Sequence, residues 1–68
     1  MLMENKVWYY RDKANLSVNQ LSRKTGITPS EITKIENGQT NDVMLSNAIR
    51  LSNSLNVDIY ELFCISKR

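Results

Sequence analysis

The sequence predicts an all-α fold, a compact five-helix bundle, on three observations. Helix-start signals recur: Ser17-Val18-Asn19-Gln20 reads as a capping box, and Thr28-Pro29-Ser30-Glu31 sets a cap, a proline at the first helical position and a carboxylate in the first turn. Apolar residues are few and fall at helical spacing, so each helix buries one side. Finally, 68 residues with 41% hydrophobic content suffice for one domain (1–68) whose small core favours compact helices.

In chain order, Glu4 to Ala14 reads as the first helix, with Val7, Tyr10, Arg11 and Ala14 on one face. Trp8 and Tyr9 lie off that face, as a core edge or a contact surface, the core edge being the favoured reading. Asn15 suits the left-handed conformation that ends a helix. The second helix, capped by Ser17, turns Val18, Leu21 and Ser22 inward. Gly26 then supplies the positive φ that a tight junction requires. The third helix, capped by Thr28, buries Ile32 and Ile35 and closes at Asn37-Gly38. A polar, uncharged loop, Gln39-Thr40-Asn41, leads to a fourth helix from Asp42 to Leu55, whose Met44, Leu45, Ala48, Ile49, Leu51 and Leu55 give the wide apolar face of a central helix. Asn56 ends it. Asp58 caps a last helix carrying Ile59, Leu62 and Phe63, with Cys64 and Ile65 beyond. No internal repeat is read along the chain.

Several functions are set aside by composition. A single cysteine allows no intramolecular disulfide or cysteine-built zinc site, and the lack of histidine removes the commonest metal ligand and acid–base group. The seven carboxylates are scattered, with no pair beside a plausible nucleophile, so no enzyme and no cofactor are expected. No small-molecule ligand is indicated. No apolar run approaches the roughly 20 residues of a membrane span, and Met1-Leu2-Met3-Glu4 lacks a signal-peptide core, so a cytoplasmic location is expected. A net charge of +2 argues against purely electrostatic attachment to nucleic acid and leaves affinity to specific contacts or dimerisation.

The third helix carries the functional signal. Ser30, Glu31, Thr33, Lys34 and Asn37 stand on its outer side, a set of hydrogen-bonding groups suited to a polar target. The major groove of DNA admits one α-helix, whose hydroxyl, amide and amino side chains can meet base edges.

The stretch Leu16 to Gly38, LSVNQLSRKTGITPSEITKIENG, resembles the helix-turn-helix of the Cro and phage-repressor (XRE) family, with the motif proper at about 17–37. Ile35-Glu36-Asn37-Gly38 resembles the family's closing signature, and Val57-Asp58-Ile59-Tyr60-Glu61-Leu62-Phe63 its last helix. The likeness runs from about Val7 to Phe63.

The resemblance implies a lambda-repressor-like DNA-binding domain and a dimeric transcriptional regulator, a repressor, acting on a double-stranded operator. It implies base contacts from Pro29, Ser30, Thr33 and Lys34. Proline can offer only apolar contact to a thymine methyl, and Lys34 can reach guanine O6 or N7 unless it merely solubilises the surface. Glu31 reads as a cap partner or as an acceptor for cytosine N4. Phosphate contacts are implied for Ser17, Asn19, Thr28, Asn37, Gln39, Thr40 and Asn41. Val18 stands where relatives have a phosphate-binding glutamine, leaving backbone N–H groups and Ser17 or Asn19 to substitute. An ion pair between Arg11 and Glu36 is implied, fixing the tilt of the reading helix. Phe63 and Ile65 are assigned to a homodimer interface or, alternatively, to the monomer core. The rival reading is a protein-interaction module of the same fold, such as an antitoxin binding its toxin.

Overall fold

A computed structural model describes residues 4–40 and 42–66, and these form five helices and no strand: α1 (Val7–Lys13), α2 (Val18–Thr25), α3 (Pro29–Glu36), α4 (Leu45–Leu55) and α5 (Ile59–Leu62). A left-handed residue follows each helix: Asn15 (φ 59°), Gly26 (φ 80°), Gly38 (φ 69°), Asn56 (φ 57°) and Cys64 (φ 57°). Four of these stops share one hydrogen-bond pattern. Leu16 N–H returns to Arg11 O, Gln39 to Lys34 O, Val57 to Ser52 O and Ile65 to Tyr60 O at 2.8–3.1 Å, each satisfying a carbonyl that the helix end leaves free. At α2 the turn is tighter, with Gly26 N–H reaching Ser22 O at 2.7 Å.

The starts are equally local. Ser17 Oγ accepts from Gln20 N–H at 3.0 Å while Ser17 N–H donates to Gln20 Oε1 at 2.7 Å, so both halves of the box form. Thr28 Oγ1 accepts from Glu31 N–H at 3.2 Å, and Asp58 Oδ1 from Tyr60 N–H at 2.7 Å. Two expected starts are corrected. The first helix begins at Val7 and not Glu4, because Asn5 Oδ1 takes the Val7 N–H at 3.0 Å and its amide donates to Ile35 O at 2.7 Å, anchoring the chain before the helix opens. The fourth begins at Leu45 and not Asp42. Residues 42–44 stay non-helical so that Val43 can fold onto the core, and Met44 occupies the cap position without a side-chain bond.

One core collects Val7, Leu21, Ile27, Ile32, Ile35, Ala48, Leu51, Leu55, Leu62 and Phe63. α4 contributes only Ala48, Leu51 and Leu55. Met44, Leu45 and Ile49, expected inside, are exposed, because α4 starts beyond the edge of the core and its first turn overhangs it. Trp8 and Tyr9 are likewise outside. Tyr9 meets the edge of Tyr10 with ring centres 5.0 Å apart and lies under the Lys13 ammonium at 5.5 Å.

An internal repeat is present after all. Thirty residues beyond Leu21-Ser22 stands Leu51-Ser52, and the correspondence continues through Gly26 and Asn56, Ile27 and Val57, Thr28 and Asp58, Glu31 and Glu61, Ile32 and Leu62. The paired positions do the same work. Leu21 and Leu51 are fully buried, as are Ile32 and Leu62. Ser22 Oγ donates across its turn to Ile27 O, and Ser52 Oγ donates across its own to Val57 O. α4–α5 is therefore a second helix-turn-helix unit on the same local plan as α2–α3. Few identities survive in the sequence because equivalent chemistry is supplied by different residues.

Candidate nucleic-acid interface

α3 buries Ile32 and Ile35 completely, and a helix with one face so fixed must turn its opposite face outward. Pro29, Ser30, Thr33, Lys34 and Asn37 are all exposed there, while Glu31 is half-buried at the margin. Lys34 is the only cation on the helix.

Both ends of α3 are held by side chains from other elements. At its C-terminal end, Arg11 Nε and Nη2 donate to Glu36 Oε2 and Oε1 at 2.6 and 3.1 Å, and Nη1 donates to Leu16 O at 2.8 Å. One planar guanidinium thus joins α1, the entry to α2 and the last residue of α3. Both side chains are largely out of water, 14% and 6% exposed, so the pairing is charge-assisted and weakly screened. The hydrogen bonds to Glu36 hold the guanidinium proton more firmly than usual. Asn5 adds its bond to Ile35 O. At the N-terminal end, Ser22 fastens Ile27 O at 2.6 Å. Thr25 Oγ1 accepts from Ile27 N–H at 3.1 Å while donating to Leu21 O at 2.9 Å. The arrangement presents a rigid, polar, nearly neutral rod at a fixed angle.

The phosphate-contact candidates divide. Ser17, Asn19, Thr28, Asn37 and Gln39 are exposed. Ser17 and Thr28 use their oxygens as acceptors for backbone N–H groups, and a hydroxyl in that state retains its hydrogen to donate. Thr40 departs from the expectation. Its Oγ1 is shut away from solvent without a hydrogen-bond partner, since the chain is already turning inward to deliver Val43 to the core, so it offers no hydroxyl to a phosphate. Asn41 lies outside the described residues. Arg23 and Lys24 are exposed in the last turn of α2.

Of the two readings for Phe63, the monomer core accounts for its place in the single chain, where it is 7% exposed within the core cluster, whereas Ile65 is 51% exposed. The residues whose roles sequence reasoning missed are Asn5, Ser22 and Thr25, which fasten the two ends of α3. The Leu-Ser pair recurring after thirty residues is the one signal that could have revealed Ser22.

Among the described residues, no group of three or more cysteine or carboxylate side chains could hold a metal ion, and no helix is long and apolar enough to cross a membrane. No curated protein matches the chain. The pattern of the helix-turn-helix family matches residues 9–62, a span that takes in all of α2, α3, α4 and α5 and most of α1. With α3 exposed on one side and held at both ends, the chain belongs to the Cro/C1-type helix-turn-helix (XRE) family of DNA-binding regulators.

Proposed function

We propose that the protein is a dimeric transcriptional repressor that occupies a two-fold operator in the cytoplasm and reads it through α3. Ser30, Thr33 and Lys34 meet base edges in the major groove, with Lys34 directed to a guanine and Pro29 set against a thymine methyl. Ser17, Asn19, Thr28, Asn37 and Gln39 hold phosphates and fix register. The observation that carries the reading is the contrast across α3, whose inner side is fully buried and whose outer side is polar, exposed and braced by Arg11–Glu36. Repression needs nothing beyond site occupancy. Two copies would set their reading helices about 34 Å apart, one turn of DNA.

Selection of bound sequences from a random duplex pool tests this. A two-fold consensus with half-sites one helical turn apart is expected. Recovery of no enriched sequence would refute base reading by α3.

A second reading, a protein-interaction module such as an antitoxin, is favoured by exposed Trp8 and Tyr9 and by the low net charge. It predicts no retardation of random duplexes even at low salt. The repressor reading predicts retardation that weakens as salt rises, with a shallow slope because the Gln39–Thr40 loop carries no charge.

A further inference from the structure

We infer that Asn5 is a positioning residue for base reading, gripping the backbone of α3 at the end that carries Lys34 and so setting which bases that end can meet. The inference deepens the function proposed above and rests on it. Asn5 is itself a fixed post. Its Oδ1 takes the Val7 N–H at 3.0 Å, Val7 is fully buried, and the next amide, Lys6 N–H, donates to Leu62 O at 2.8 Å. From that post Nδ2 donates to Ile35 O at 2.7 Å, filling the second lone pair of a carbonyl that already accepts from Gly38 N–H at 3.0 Å. Two consecutive residues thus clip the last turn of α3 to the end of α5, joining the two helix-turn-helix units through a segment that belongs to neither.

The clip differs in kind from the ion pair beside it. Arg11 and Glu36 meet through two long side chains, whose rotations can absorb a shift of the helix while the charges stay paired. A short amide bonded to the backbone has no such slack. The other end of α3 is held separately, by Ser22 on Ile27 O and by the Thr28 cap, so with Asn5 released the helix pivots about that end. At about 1.5 Å per residue, Lys34 stands about 9 Å from Thr28 and Ser30 about 3 Å. A tilt of about 10° carries Lys34 about 1.5 Å and Ser30 about 0.5 Å. Contacts of this kind tolerate an error of only about 0.5 Å. Asn5 accordingly governs reading at Lys34 and leaves reading at Ser30 almost untouched.

Two substitutions keep an acceptor for Val7 N–H and remove the donor to Ile35 O. Asn5→Asp sets a carboxylate against that carbonyl, and Asn5→Ser is neutral and too short to reach it. Fluorescence anisotropy on the selected operator, its single-position variants and a random duplex reads the effect. In both variants the operator Kd should rise about tenfold, with the random-duplex Kd within about twofold of wild type. The base preference that Lys34→Ala abolishes should be lost, and the one that Ser30→Ala abolishes should be kept. Equal losses at every position and on the random duplex would reduce Asn5 to a contributor to stability, and preference retained at every position would give it no part in reading; either result overturns the proposal.

Residual dipolar couplings of the free protein test the same lever without DNA. The α3 N–H vectors should rotate relative to those of α2 in both variants, and an unchanged angle would overturn the proposal. A wild type without base preference sinks base reading and this proposal with it. That outcome is distinct from failure of the lever alone, in which the wild type reads its operator and the couplings do not move.

Discussion

The chain between Leu21 and Ile32 and the chain between Leu51 and Leu62 build the same turn from largely different residues. A buried leucine is followed by a serine that clamps the carbonyl beyond the turn, a left-handed residue stops one helix, and an oxygen caps the next. Outward, the two share little beyond Glu31 and Glu61. The first unit shows Ser30, Thr33 and Lys34 to solvent; the second turns Ile59 and Phe63 inward beside an apolar groove. Inner positions thus specify the turn, while outer positions choose what the turn is presented to. That separation lets one local plan serve two different surfaces within 68 residues.

The comparison is most sharply broken in the core. Leu21→Ala and Leu51→Ala each leave a cavity at a fully buried site, and each should cost about 2–5 kcal/mol in urea unfolding. In a domain this small either variant could be largely unfolded at 37 °C. Similar losses would support structural equivalence; a loss confined to one site would refute it.

Next in size is the brace that only the first unit has. Arg11→Ala leaves Glu36 buried without its partner and should lower stability by about 3 kcal/mol while weakening DNA binding. Lys6→Ala, which removes the exposed pairing with Glu61 at 2.9 Å, should barely move the melting temperature. An unchanged melting temperature in Arg11→Ala would count against the brace.

The left-handed stops come third. Gly26→Ala should cost about 1–2 kcal/mol from the backbone alone, since the space around it is open. Asn56→Gly, at the matching position, should change stability by less than about 0.5 kcal/mol.

The smallest expected effect concerns Glu61. The Lys6 ammonium and then the Tyr10 hydroxyl, donating to its carboxylate, hold it below the ordinary carboxylate range. A depressed folded pKa contributes stability that is complete above the ordinary value and disappears as pH falls through the folded one. Glu61→Gln should therefore flatten the acid limb of the stability profile slightly, read as melting temperature against pH.

What was legible in the sequence was local. Caps at Ser17, Thr28 and Asp58, the stop at Gly26 and the polar side of α3 all follow from neighbouring residues, and a pattern of neighbours is what a sequence displays. Long-range geometry was legible only where the family resemblance carried it, as for Arg11–Glu36. Apolar periodicity in α4 could not distinguish Leu51, which faces the core, from Leu45 and Ile49, which face away, because both kinds of position carry similar side chains. Asn5 gave no sign that its amide would reach Ile35, thirty residues distant, and Thr40 none that its hydroxyl would turn inward. The repeat itself was hidden by substitutions that preserve chemistry, Gly to Asn and Thr to Asp, while changing identity.

The central claim is that the outer side of α3 reads bases, and the affinity of Lys34→Ala tests it most directly. Fluorescence anisotropy would be measured on the selected operator, on operators altered at single positions and on a random duplex. The account predicts a loss of about 1–3 kcal/mol on the operator, relaxed preference at one position, and little change on the random duplex. Equal losses on every duplex would contradict it, reducing Lys34 to a phosphate contact.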